Sequence, residues 1–178
     1  MKHLLSQIFT DYRNIIVFLH VISAVVWVGG MIAMRFAAHY SFGMLENTHI
    51  KIERSAHALK RLFAIVAPFV VILIITAVIM AVGYGFRTAA VDASGNVLNA
   101  YAMHVYNLVH VKEAIWLVMS VNFIAMVVRR NKAQTLIKNG DLIGAGAILK
   151  LIGKYMVPLN IILGICAIYL GVTLRNAY

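Results

Sequence analysis

The chain is short of acid, cysteine and proline. It holds six Asp and Glu, one Cys and two Pro, and its charged residues together make up only 12%. Soluble domains carry about 25% charged residues, so a soluble globular protein is excluded. The lone Cys166 permits no internal disulfide and no CxxC metal or redox pair, and within an apolar run it reads as a packing residue. The two prolines do not forbid helices. Pro68 falls inside an apolar run, where neighbouring helices can re-satisfy a freed carbonyl, and Pro158 falls near the start of another.

What is present is apolar: 62% of the 178 residues are hydrophobic and the mean hydropathy is +0.87. These residues gather in four runs, at about 15–38, 62–86, 101–128 and 155–174. Each has the roughly 20 residues that about 30 Å of hydrocarbon requires. The expectation is an all-α, single-domain, polytopic membrane protein: a four-transmembrane-helix bundle in a lipid bilayer. The first run is too long for the apolar core of a signal peptide, and no small-x-small cleavage site follows it. Gly164 and Gly171 mark places in the last run where another helix can come close. Segments 39–61 and 129–154 are polar and should extend the spans as helix, whereas Asp92, Ser94, Gly95 and Asn96 read as a turn.

The net charge of +10 does not point to nucleic acid, because the 16 Lys and Arg lie mostly beside the apolar runs, with Lys112 inside the third. Arg35, Lys51, Arg54, Lys60, Arg61, Arg129, Arg130, Lys132, Lys138, Lys150 and Lys154 fall on one side. Lys2, Arg13, Arg87 and Arg175 fall on the other. The positive-inside rule then places both termini outside the cytoplasm.

An ionisable group in hydrocarbon costs about 2.5–3.5 kcal/mol, so each one in a span calls for a reason. His20 in the first span and His110 in the third enter from the same side and reach similar depth, where they could face each other across the bundle. Two neutral imidazoles so placed suit axial ligation of a b-type haem. The ordinary alternative is a pair of unrelated histidines bonded to carbonyls, Ser23 or Asn107. Trp27, seven residues after His20, shares its face and could pack on a porphyrin or simply fill the core. Glu113 lies on nearly the same face as His110, with Lys112 about 200° away. Lys112 and Glu113 read either as proton-transfer or substrate-binding groups or as an intramembrane ion pair. At the border, His57, Lys60 and Arg61 share a face near Arg35 and could grip carboxylates such as propionates, or act as plain flanking charges. His3, His39 and His49 read as surface residues.

Three stretches carry a family likeness: LHVISAVVWVGGMIAMRF from Leu19 to Phe36, KRLFAIVAP from Lys60 to Pro68, and LVHVKEAIWLV from Leu108 to Val118. They resemble the signature stretches of the HemJ family, bacterial four-helix haem proteins that oxidise protoporphyrinogen IX. The copper-resistance D type of membrane protein shares the first-span pattern. The matching positions are His20, Trp27, Gly30, Arg35, Lys60, Arg61, Leu62, Pro68, His110 and Lys112, and Pro158 resembles the proline that opens the family's last helix. The resemblance implies haem b held by His20 and His110, and a catalytic or substrate-binding role for Lys112 and the basic residues. It also implies a porphyrinogen substrate, a quinone acceptor and a bacterial cytoplasmic membrane. Glu113 stands where the family carries an apolar residue.

Two other functions fit the composition. A b-type cytochrome would relay electrons between quinol and a partner, with any second haem drawing on His39, His57 and His104. A copper-binding or transport protein would use imidazoles with Met31, Met34, Met103, Met119 and Met126, since thioethers suit Cu(I). A structural subunit without redox chemistry and a homo-oligomer also remain open.

Overall fold

The computed structural model describes residues 2–176, and among these there is no strand, only an isolated bridge between Val91 and Val97 in a loop. Helix α1 (Lys2–Ala33) passes through a π-helical segment, Met34–Ala38, into the short α2 (His39–Gly43). Helix α3 (Thr48–Gly83) follows a tight turn, and the one-turn α4 (Phe86–Ala90) leads to the loop before α5 (Ala100–Lys138). A second turn leads to α6 (Leu142–Leu151), a second π-helical segment at Ile152–Met156, and α7 (Val157–Asn176). Four rods result, each long and apolar enough to cross a membrane: His3–Gly43, with a kink at Tyr12, Thr48–Ala90, interrupted by the turn at Tyr84 and Gly85, Ala100–Lys138 and Leu142–Arg175. This is the architecture of a multi-pass membrane protein.

The rods outrun the apolar runs, and the reason is geometric. The 39 residues of α5 extend about 58 Å at 1.5 Å per residue, far more than the ~30 Å of hydrocarbon. The polar segments 48–61 and 129–138 therefore carry helix out of the bilayer. Side chains fix where helices begin. Asn47 accepts from the Ile50 amide at 3.1 Å, Asn99 from the Tyr101 and Ala102 amides at 2.9 and 3.2 Å, and Asp141 from the Gly144 amide at 2.8 Å. Each satisfies amide donors that a helix start leaves unpaired. In the expected turn, Asp92 Oδ1 accepts from the amides of Ser94 and Asn96, both at 2.8 Å. The Asn96 side chain, with these amides, holds the Asp92 carboxyl below the usual carboxylate range. Gly95 supplies the turn's positive φ of 90°.

Helix α1 packs on α3 and α7, and α5 packs on the same two, so α1 and α5 stand on the bundle diagonal. The face that α5 turns inward is a stripe at alternating steps of four and three residues: Lys112, Trp116, Met119, Phe123, Met126, Arg130, Ala133 and Ile137. That is the spacing of a coiled-coil seam. A smaller buried group of Phe9, Ile16, Phe86, Ala90 and Val105 lies in the half of the bundle away from the basic turns, and the large contiguous core lies in the half nearer them. There Trp27 meets Phe123 edge-on at 6.1 Å and Phe123 meets Phe63 at 5.3 Å, while Met31, Met126, Val66 and Ile152 are fully enclosed. In the half that carries the termini, inward residues such as His20, Val70, Leu73, Lys112 and Trp116 are only half-buried. The outer surface is apolar. Phe18, Val25, Ile65, Val121 and Ile162 are each more than half exposed, an area of uncovered hydrocarbon that a lipid environment accounts for.

Polar residues join the spans. Asn122 on α5 donates to the Met156 carbonyl and to Asn160 Oδ1, both at 2.8 Å, and Asn160 returns a bond to the Met119 carbonyl at 3.3 Å. Asn160 is fully buried. Changing it to alanine strips an acceptor from Asn122 and should destabilise the bundle by about 1–2 kcal/mol, measured as an earlier unfolding transition in detergent. Arg130 is buried as well: Nε donates to the Ala56 carbonyl of α3 at 3.1 Å, and Asn131 and Gln134 accept from its other nitrogens at 3.0 Å. One of the eleven basic residues on that side is therefore a structural tie rather than a flanking charge.

Candidate functional site

His20, Ser23 and Trp27 recur at intervals of three and four, so one face of α1 presents all three inward. Ser23 and Trp27 are almost wholly buried and His20 is half-buried. The ring of His20 is fixed from α3, where its Nδ1 lies 3.0 Å from Thr76 Oγ1. The threonine hydroxyl has one proton, and the carbonyls of Ile72 and Leu73, at 2.8 and 3.0 Å, hold it. Thr76 thus meets His20 as an acceptor. That assigns the proton to Nδ1 and leaves the lone pair on Nε2. Metal-binding histidines commonly have this arrangement, with one ring nitrogen held by an oxygen and the other left for the metal.

Opposite, on α5, Lys112 occupies the inward stripe. Its Nζ lies 3.1 Å from where a Cβ on Gly171 would stand, so the missing side chain of Gly171 makes room for the amine. Gly171 is thus a point of close approach, as its place in the sequence suggests, although what approaches is a lysine. Lys112 and His20 are near enough for charge on one to act on the other. Among the described residues Lys112 makes no ion pair. Farther along α5, Trp116 Nε1 on the stripe and Ser120 Oγ beside it are buried without a partner, and so is Trp27 Nε1 across the bundle. Buried polar atoms are normally bonded, and three unpartnered ones on the inner faces of α1 and α5 make this interior unusual.

His110 and Glu113 stand elsewhere. His110 Nδ1 contacts Glu113 Oε2 at 3.0 Å, with the two side chains 53% and 50% exposed, and Tyr106 stacks edge-on against the imidazole at 4.4 Å. A carboxylate acceptor again puts the proton on Nδ1 and leaves Nε2 free, so the donor chemistry matches that of His20. The position does not: His110 lies on the exposed side of α5, and within one bundle it is Lys112 that turns toward His20. Lys112 and Glu113, two residues considered as an ion pair, go to different faces.

At the other end, Arg35 is half-buried and lines a cavity, whereas His57, Lys60 and Arg61 are exposed on α3 and do not line it. Four of the five methionines considered for copper, Met31, Met34, Met119 and Met126, are core residues packed among aliphatic and aromatic neighbours. No group of three or more His, Cys, Asp or Glu is close enough to hold a metal ion among the described residues. Thr76, Trp116 and Ser120 escape sequence reasoning. Thr76 had a signal, as the only polar side chain between Pro68 and Tyr84. No family model, curated protein or solved structure matches this chain.

Proposed function

We propose that the chain is a haem b-containing membrane oxidoreductase that oxidises protoporphyrinogen IX to protoporphyrin IX and delivers the electrons to quinone. The observation that carries this reading is His20: its Nδ1 is anchored by Thr76 and its Nε2 is left free, in the interior that also holds the Lys112 amine. The likeness to the HemJ stretches supports it. Haem fits the donor chemistry of His20, which would hold it; His110 has the same donor chemistry but faces away from His20 within one bundle. Because His110 is on the exposed side of α5, its share in ligation is the point that single-site variants decide.

When bound, haem supplies a one-electron acceptor within the membrane. The chain's own residues do the rest. Thr76 keeps the His20 ring oriented. Oxidation of the substrate releases six electrons and six protons. Lys112, without a carboxylate partner among the described residues, is placed to take up protons at Nζ as they leave, in the role of general base. Glu113, bonded to His110 on the outer face, is placed to pass protons on or to hold that imidazole. Their polar pair would be costly against lipid tails, and a second copy of the chain lying along α5 would cover it.

The test pairs a spectrum with a growth assay. Purified protein should show a Soret band with sharp reduced α and β bands, and the gene should restore porphyrin synthesis to a bacterium lacking its protoporphyrinogen oxidase. Haem without rescue would favour the electron carrier. We place the protein in a bacterial cytoplasmic membrane with both termini outside, from the excess of basic residues on one side. A reporter active only in the cytoplasm should then be silent when fused after Tyr178 and active when inserted at Asn139 in the turn between α5 and α6. The reverse pattern would overturn the orientation.

A further inference from the structure

The two π-helical segments, Met34–Ala38 and Ile152–Met156, lie on different rods yet border the same space. An isolated π turn costs hydrogen-bond quality and recurs at functional sites. Between them is a cavity of about 410 Å³ lined by both π segments, α2, α3, α6 and the start of α7. Its floor is apolar, with Met34, Ile52, Leu59, Leu149 and Val157. Its remaining lining carries Arg35, His39, Lys51 and Lys150, together with the hydroxyls of Thr48 and Ser55, and no acidic residue. The cations come from separate elements, with Lys150 remote in sequence from the others, and the charges of Arg35 and Lys51 both act on His39. Gly153, within the second π segment, leaves room for the His39 ring, whose nearest atom would be 3.4 Å from a Cβ there. Lys51 also donates to the Gly43 carbonyl at 3.2 Å, which ties its ammonium to α2.

Like charges collected around an apolar hollow repel one another, and nothing in the lining neutralises them. From this we infer that the cavity is a binding site for an amphipathic anion, its carboxylate or phosphate head held by Arg35, Lys51 and Lys150 and its apolar body resting on Met34, Ile52 and Leu149. Size supports the apolar body. A cavity of about 410 Å³ has room for about a dozen waters at ~30 Å³ each, far more than a small inorganic anion displaces, and lies in the range of organic-ligand pockets. Arginine offers a carboxylate or phosphate a two-pronged donor, and the lysines add charge. The site is at the opposite end of the dense core from His20, so it stands independently of the haem reading.

Two head groups share this chemistry, and the experiment separates them. Purified protein is titrated with a metal-free porphyrin dicarboxylate, read by fluorescence, and with its dimethyl ester. In parallel it is reconstituted in nanodiscs of phosphatidylcholine with or without phosphatidic acid, and retained lipid is measured by native mass spectrometry. Tighter binding of the diacid than of the ester identifies a carboxylate amphiphile; selective retention of phosphatidic acid identifies a lipid phosphate. Either result, lost at least tenfold in Arg35→Gln/Lys51→Gln and kept in Lys132→Gln/Lys138→Gln, at exposed lysines outside the cavity, is expected. Lys150→Gln, at an exposed lysine whose loss leaves the core intact, should weaken binding severalfold and covers the case in which the double variant misfolds. The inference is overturned if neither amphiphile is selected, if Lys150→Gln binds as well as the unmutated protein, or if inorganic phosphate alone binds as tightly as the amphiphiles.

Discussion

Changing His20 to alanine is expected to abolish the low-spin haem spectrum, and changing Thr76 to valine to weaken haem retention by about 10–100-fold while leaving the fold in place. The two variants act through one bond. Alanine at position 20 removes the nitrogen that would face iron. Valine at position 76 keeps the volume of threonine but removes the oxygen that holds Nδ1 at 3.0 Å, so the ring is held only by the Leu73 backbone and turns more freely. Thr76→Ser, which keeps the hydroxyl, should rescue most of the loss. His110→Ala distinguishes two arrangements. Loss of the low-spin spectrum would mean that the exposed imidazole of α5 reaches haem, whereas an unchanged spectrum would remove it from the site. Full retention of the spectrum in His20→Ala would sink the haem assignment at this position.

That the imidazole of His20 turns inward is legible in the sequence, because Ser23 and Trp27 continue its face at helical spacing and the apolar surroundings leave few other places for them. The four spans are legible for the same reason: hydrocarbon thickness fixes a length that the composition then displays. The inner face of α5 is harder to read, since polar residues occur all round this helix. A signal exists in the seam from Lys112 through Trp116, Met119, Phe123 and Met126 to Ile137. It continues through Arg130, whose charge disguises a core position. Matching the depth of two histidines ignores this azimuth, and on azimuth His110 belongs to the outer surface. The basic cavity was not legible at all. Lys150 is remote in sequence from Arg35, His39 and Lys51, and π turns shift the register of the helices that bring them together.

Removing the Lys112 amine should leave the haem spectrum intact and lower porphyrinogen oxidation by about 10²–10⁴-fold, the range that a positioned general base contributes. The expectation rests on where the amine is. It lies in the interior with His20, next to the backbone of Gly171, and has no acidic partner among the described residues. Lys112→Met removes the amine and preserves the length of the chain, so a packing role would survive it and a proton-transfer role would not. Lys112→Arg keeps the positive charge but not a readily dissociated proton. If the residue only holds a carboxylate, arginine should support substantial activity; if it moves protons, arginine should be nearly as poor as methionine. Gly171 supplies an independent check from the opposite helix. An added side chain at that position meets Nζ at 3.1 Å, so Gly171→Ala should displace the amine without touching it chemically. A fall in turnover with unchanged haem in Gly171→Ala, beside full activity in Gly29→Ala, where nothing lies within 4 Å of the new methyl group, would tie the chemistry to the position of one nitrogen.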